Sequence, residues 1–339
     1  MLTELSLQQF RSYSKRSFAF SPATTLIIGP NTAGKTNILE AIMTMAVGRS
    51  FRADADREVI RWGQNVSRIT CHVLGGNAEK LEIVLTSSVK KYLVNGVARR
   101  QIDFVGNLRA VLFWPEDLEL VTDSPSIRRK YLDSVLVQVD REYRRNLVSY
   151  ERGLRQRNSL LDRINEGTAH RHQLMFWDQL LIRSGGYLTD TRAMYIEFVN
   201  RFQSPVEGFQ IGYDKSVISE SRLEQYKDEE VAAKATLVGP HRDDFVITKH
   251  DLDLSKYGSR GEQRLAILWL KLVELAFIEQ KIGNRPLLIL DDIFSELDIE
   301  HRELVLELLG KQQTIVSTAE EEVAALLKKH RVNADTIRL

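Results

Sequence analysis

The segment Gly29-Pro30-Asn31-Thr32-Ala33-Gly34-Lys35-Thr36 fits G-x-x-x-x-G-K-T, and it stands between an apolar run, Thr25 to Ile28, and a helical run, Asn37 to Val47. Strand, glycine loop and helix in that order make a phosphate-binding loop, which commits the chain to an α/β fold. Gly29 and Gly34 let the backbone turn tightly and bring its N–H groups to phosphate oxygens at the positive end of the following helix. Lys35 is expected to reach the β- and γ-phosphates, and the Thr36 hydroxyl to ligate Mg²⁺. ATP or GTP is the predicted ligand.

Far along the chain, Leu287-Leu288-Ile289-Leu290 runs into Asp291-Asp292. Four apolar residues ending in a carboxylate read as a strand buried in a parallel sheet, with the acid at its C-terminal tip. Open α/β sheets bind ligands at that tip. Asp291 is therefore the expected Mg²⁺-side carboxylate, and Asp292 the group that orients or deprotonates the attacking water. The plainer reading of two aspartates after a strand is a turn or a helix cap.

The chain has 339 residues, 43% hydrophobic and 27% charged, with a net charge of +1. That composition is globular and argues against extensive disorder. Near-neutral charge means that any nucleic-acid contact must come from local patches. Cys71 is the one cysteine, which excludes an intramolecular disulfide framework and a cysteine-rich zinc site and fits a reducing cytoplasm. The start, Met1-Leu2-Thr3-Glu4-Leu5, lacks a secretory layout, and no stretch approaches ~18 uninterrupted apolar residues, so no membrane segment is expected. The seven histidines, His170 and His172 included, form no ligand pattern.

Short strands are expected at Leu2 to Phe10, Thr25 to Ile28, Ile69 to Leu74, Leu81 to Thr86 and Lys91 to Val94. Asn95-Gly96 marks a two-residue hairpin. Helical periodicity takes over from Ser124 to about Ala235, with Leu132, Leu136, Val139 and Tyr143 on one face and Leu147, Tyr150 and Leu154 on another. Since the phosphate loop precedes this insert and Asp291 follows it, the flanks must fold together. The expected division is an ATPase domain of residues 1–123 and 237–339 around a helical lobe, 124–236. The lobe carries Arg128, Arg129, Lys130, Arg141, Arg144, Arg145, Arg152, Arg155 and Arg157 among Asp133, Asp140, Glu142 and Glu151. A solvated face of mixed-sign pairs and a DNA-backbone surface both remain open.

Tyr257-Gly258-Ser259-Arg260-Gly261-Glu262-Gln263 opens a long helix that leads toward the Asp291 strand. Ser259 with Glu262 reads as a capping box. The Ser-x-Gly-x-Gln spacing also resembles the signature motif of ATP-binding-cassette (ABC) ATPases. That resemblance implies that Ser259, Gly261 and Gln263 of one copy cover the ATP held by another, so that monomers are incomplete sites. Ser295-Glu296-Leu297-Asp298 stands where that superfamily has its D-loop.

Further stretches narrow the branch: Gln9-Phe10-Arg11-Ser12-Tyr13, Gly34-Lys35-Thr36-Asn37, Phe113-Trp114-Pro115-Glu116-Asp117-Leu118, Ser124 to Asp133, and Gly239-Pro240-His241-Arg242-Asp243-Asp244. Together they resemble the RecF family of bacterial DNA replication and repair proteins. The resemblance implies an ABC-type ATPase head, related to SMC proteins, with an inserted helical lobe and no long coiled coils. It further implies an ATP-dependent homodimer that clamps duplex DNA or single-strand/duplex junctions and, with RecO and RecR, promotes RecA loading and SOS induction in the cytoplasm. The implied nucleotide contacts are Gly29, Pro30, Asn31, Thr32, Ala33, Gly34, Lys35, Thr36 and Asn37, together with Arg11 near the phosphates or DNA. Three departures stand out. Thr32 holds a position often occupied by glycine, Asp292 stands where the general base is usually glutamate, and Thr318 where a γ-phosphate-sensing histidine is usual. The first should leave nucleotide binding intact, and the other two imply slow, switch-like Mg²⁺-dependent hydrolysis. The rival readings are the motor subunit of a membrane transporter and a P-loop kinase or nucleotide switch.

Overall fold

A run of five buried residues, Thr24–Ile28, carries the chain into the phosphate loop and sits inside a sheet covered on both faces. The computed structural model describes residues 1–76 and 78–339, and for Glu296, Ile299 and Glu300 the backbone alone. The chain forms two compact units, Met1–Asp117 with Glu274–Leu339, and Leu118–Val273.

In the first unit the strands are β1 (Leu2–Phe10), β2 (Tyr13–Ala19), β3 (Thr24–Ile28), β4 (Val66–Val73), β5 (Lys80–Thr86), β6 (Lys90–Val94), β7 (Val97–Arg99) and β8 (Ala110–Phe113). Between β3 and β4 lies the helix Lys35–Val47. The second unit holds β9 (Phe209–Asp214), β10 (Asp244–Lys249) and β11 (Leu252–Asp253). β12 (Leu287–Asp291), β13 (Thr314–Thr318) and β14 (Ala334–Arg338) return to the first unit.

A parallel sheet is ordered β14-β3-β13-β12-β8. β3, β8, β12 and β13 are buried at every position, as strands of a doubly covered parallel sheet should be. An antiparallel sheet, β2-β1-β4-β5-β6-β7, forms a second layer. The helix Lys35–Val47 touches strands of both sheets, which explains why it is buried along nearly its whole length. Asn95 (φ 51°) and Gly96 (φ 78°) make the expected two-residue hairpin between β6 and β7. β2, β8 and β14 are additions to the strands expected from sequence.

The parallel register sets the functional edge. Asp291 of β12 is level with Ser317 of β13, and Thr318 is level with Ile28, the last residue of β3. Three C-terminal strand tips therefore converge where the phosphate loop begins.

The second unit packs the helices Pro125–Val139, Arg141–Asn165 and Met175–Arg201 with the sheet β11-β10-β9. The stretch 124–236 thus includes a strand as well as helices, and β9 pairs with β10 across position 236. That pairing groups residues 118–273 as one compact body.

Candidate functional site

Gly34 caps the helix Lys35–Val47 at φ 98°. A Cβ there would stand 2.8 Å from Tyr13 Oη and 3.1 Å from Ser12 Oγ, so both backbone and space demand glycine. Gly29 differs from expectation. Its φ is not in the left-handed region, and its constraint is room: a Cβ would lie 3.0 Å from Leu339 Cβ and 3.3 Å from Ala33 Cβ. Thr32 adopts φ 74°, a strained setting for a β-branched residue, at the position where glycine is usual among related loops. Lys35 is 7% exposed and donates from Nζ to the carbonyls of Gly29 (2.8 Å) and Pro30 (3.1 Å), so its ammonium spans the mouth of the loop.

A cleft of about 320 Å³ opens over this loop. Asn31, Thr32, Gly34, Lys35, Thr36 and Asn37 form one wall, and Asp291 and Asp292 another. Pro115, Glu116 and Arg52 complete the lining. Asp291 is buried and accepts the Ser317 hydroxyl proton, while Asp292 adopts a left-handed backbone (φ 53°) and donates its N–H to Ser317 O at 3.0 Å. Thr318 Oγ1 lies 3.4 Å from Asp292 Oδ1 and accepts Glu320 N–H at 3.0 Å. Its carbonyl takes Gly29 N–H at 3.3 Å. The dipeptide Ser317-Thr318 therefore touches both acids and the first residue of the loop. Thr36 and Asp291 supply a hydroxyl and a carboxylate to the same cleft, a hard-oxygen set that suits Mg²⁺.

Arg11 does not line the cleft. Its guanidinium grips Glu40 on the helix Lys35–Val47 through two bonds, 2.8 and 2.5 Å, and also reaches Glu58 O at 2.9 Å. Glu40 is fully buried, and an uncompensated carboxylate there would be strongly unfavourable, so Arg11 neutralises the rear of the phosphate loop. Arg52 is the cation that the sequence reading missed; it lines the cleft and lies 3.5 Å from Asn37 Oδ1. The only sequence signal for it was its place just beyond the helix.

In the second unit, Ser259 forms the expected capping box with Glu262. Ser259 N donates to Glu262 Oε2 at 3.0 Å, and Ser259 Oγ accepts Glu262 N–H at 3.3 Å. These bonds and Lys249 hold the Glu262 carboxyl at about 2, below the usual range. Ser259 and Gly261 are exposed, and Gln263 Nε2 braces the turn by donating to Leu254 O at 3.0 Å. In the first unit, Ser295 donates to Asp292 O at 2.7 Å and Asp298 caps the next helix through His301 N; the Glu296 side chain lies outside the described residues.

The family model for the RecF/RecN/SMC N-terminal domain matches residues 1–334. The chain is 37% identical to the DNA replication and repair protein RecF of Roseiflexus castenholzii, across 93% of this chain and 92% of that relative. The chain belongs to the RecF family. A solved structure of the recombination mediator protein RecF-ATP in the RecFOR pathway superposes with a TM-score of 0.87 at 31% identity, covering 94% of this chain and 92% of that one. An Smc head bound to the C-winged helix domain of ScpA matches at a TM-score of 0.50 and 16% identity, covering 96% and 91%, and shares the fold. The fold is thus the expected α/β ABC-type ATPase head. No helix among the described residues is long and apolar enough to cross a membrane.

The segment Gly239–Asp244, one of those that carried the RecF resemblance, contributes Gly239, Pro240 and Asp243 to a buried hub of the second unit. Arg192, 2% exposed, donates to Asp133 (2.8 Å), Asp243 (3.0 Å), the carbonyl of Pro240 (2.7 Å) and Tyr143 Oη (3.0 Å). Asp243 also accepts from Tyr213 Oη and Ser216 N. Gly239 sits at φ 127°, and a Cβ on it would fall 2.3 Å from Tyr150 Oη. His241 Nε2 is 2.9 Å from Thr236 O, which can only accept, so Nε2 carries the proton and Nδ1 accepts from Tyr150 Oη at 2.7 Å. Burial lowers the His241 pKa to about 4 and keeps it neutral near pH 7.

Several of the lobe's basic residues are answered by partners within the chain. Arg128 is clamped by Asp244 at 2.6 and 3.0 Å. Arg157 is buried against Asp178 and Glu230, each at 2.7 Å. Arg129 donates to Asp243 O and Arg145 to Glu142. Arg152 and Arg155 remain exposed on the helix Arg141–Asn165.

Proposed function

We propose that this chain is an ATP-dependent DNA-binding switch of recombinational gap repair and replication restart. The observation that carries the reading is the one cleft that Lys35 and Thr36 share with Asp291 and Asp292. Loop N–H groups at a helix N-terminus and the Lys35 ammonium would hold the triphosphate of ATP. Thr36 and Asp291 would hold Mg²⁺, which neutralises phosphate charge when bound. Asp292 would orient or deprotonate the attacking water, its backbone pinned by Ser317 and its carboxylate steadied by Thr318. An aspartate reaches less far than the usual glutamate, and a threonine hydroxyl carries no charge to the γ-phosphate. Slow hydrolysis follows.

The exposed Ser259–Gly261 helix start supports a composite site in which one copy's Ser259, Gly261 and Gln263 close over ATP held by the other. On this reading, residues 1–123 and 237–339 act as the ATPase and 124–236 as the lobe. The resulting homodimer grips duplex DNA or a single-strand/duplex junction in the cytoplasm and, with RecO and RecR, promotes RecA loading and SOS induction. The RecF relative solved with ATP supports the nucleotide assignment.

Sizing the purified protein with ATP and duplex DNA tests the scheme. The wild type should become a DNA-bound dimer, Lys35→Met should stay monomeric, and Ser259→Arg should bind ATP yet stay monomeric. A Lys35→Met protein that dimerises normally with ATP would falsify the switch.

A further inference from the structure

Trp62 keeps 98% of its surface in solvent, the highest value among the exposed large apolar side chains. It stands at the tip of a turn closed by Gln64 N–H to Arg61 O at 3.0 Å, with Gly63 at φ 78°. The turn is tied to the end of β1: Arg61 N donates to Gln9 O at 2.8 Å, and Phe10 bridges Ile60. Trp62 is thus an aromatic plate held out on an anchored turn. A lone exposed apolar side chain needs no explanation; its surroundings give this one a meaning.

Two residues further along, Gln64 joins Gln8, Gln9, Asn65, Val66 and Arg68 around a shallow depression of about 450 Å³. Four of those six carry amides, which donate and accept at once and can pair with the edge of a nucleobase. Gln9 has φ 49°, and its Oε1 is buried with no donor, so turning that amide toward an occupant would satisfy it. From Arg57 to Arg68 the chain places three arginines against one carboxylate, Glu58. Arg68 pairs with Glu82 at 3.3 Å yet leaves 48% of its side chain exposed. A protein hot spot would set the tryptophan among apolar neighbours. Here Val66 is the only apolar lining residue among the described residues, and the amides and Arg68 suit bases and phosphates. Bases within a duplex hide their faces in the stack, so away from a duplex end it is an unpaired nucleotide that offers a face to Trp62.

We propose that Trp62 and the adjoining amide-lined depression take an unpaired nucleobase of single-stranded DNA, with Arg61 and Arg68 toward its phosphates. This rests on the DNA-binding reading above and gives it a means of telling a junction from plain duplex.

The test uses the full chain with ATP and Mg²⁺ and three fluorescein-labelled DNAs: a blunt duplex, the same duplex with a thymidine overhang, and one whose overhang is abasic. Trp62→Ala should weaken binding to the thymidine overhang about tenfold, as loss of one base–aromatic stack does. It should leave blunt-duplex affinity and thermal midpoint unchanged, and Trp62→Phe should retain most of the overhang preference. On the abasic overhang, wild type and Trp62→Ala should bind alike. Equal affinity of wild type and Trp62→Ala for the thymidine overhang would overturn the inference, as would an equal loss on blunt duplex. A wild type that binds no DNA in any form would instead sink the DNA-binding reading, and this one with it.

Discussion

The phosphate cleft and the Gly239–Asp244 hub use the same kinds of residue in opposite ways. In the cleft, Lys35, Thr36, Asp291 and Asp292 face a void of about 320 Å³. In the hub, Arg192 is enclosed by Asp133, Asp243, Tyr143 and a carbonyl, so its charge is fully answered within the chain. Backbone conformations disfavoured for side chains occur in both places, but with different occupants. The cleft holds them at Thr32 and Asp292, where side chains must tolerate the strain, as well as at Gly34, whereas the hub holds one at Gly239, which has no side chain to tolerate it. The contrast teaches that charge in a sequence does not announce its task. A polar group left facing space is available to a ligand, and one matched by its neighbours defines the fold.

If that division is right, stability and nucleotide binding should separate cleanly. The largest effect belongs to Arg192→Met, which takes the Arg192 guanidinium away from buried Asp133 and Asp243 and should lower stability in urea unfolding by about 3–5 kcal/mol. Lys35→Met should lower it by no more than about 1 kcal/mol while abolishing ATP binding; comparable unfolding curves for the two variants would break the comparison. Gly239→Ala comes next, at about 2–3 kcal/mol, because φ 127° is a glycine setting and the new methyl meets Tyr150 Oη.

The hub should also respond to acid. Burial depresses the His241 pKa from 6.5 to about 4, so between those values the unfolded chain binds the proton and the folded one does not. Its contribution is complete above about pH 6.5 and falls as pH drops toward 4, with a slope of at most about 1.4 kcal/mol per pH unit. His241→Gln should flatten that part of the curve, and identical pH profiles for the two proteins would reject the assignment. The smallest effect is a gain: Thr32→Gly should relieve its positive φ and add about 1 kcal/mol at most. A loss on thermal melting would mean that the threonine side chain contributes more than its backbone costs.

Legibility from sequence followed the same line. The phosphate loop, the Asp291 strand and the Ser259 cap could be read because each depends on spacing within a few residues, and the structure brings the first two to one cleft. Residues whose meaning depends on a distant partner could not. Arg11 was expected near the phosphates or DNA, but its pairing with Glu40 was not legible; for Arg128 and Arg157 a mixed-sign face and a DNA surface were both open, and the acids they pair with lie far along the chain. Arg192 carried no local signal at all. β8 has only four residues, and β2 and β14 are largely polar, so none shows the periodicity that identifies a strand.

The order β14-β3-β13 has a consequence for synthesis. Both strands that flank β3 come from the far end of the chain, so the nascent polypeptide carries its phosphate loop for most of translation with neither neighbour in place. β1 and β2, adjacent in sequence, can pair almost at once. The walls of the cleft thus assemble only after β12 to β14 have been made, and a chain stalled before them would display the loop's sequence without the pocket that surrounds it.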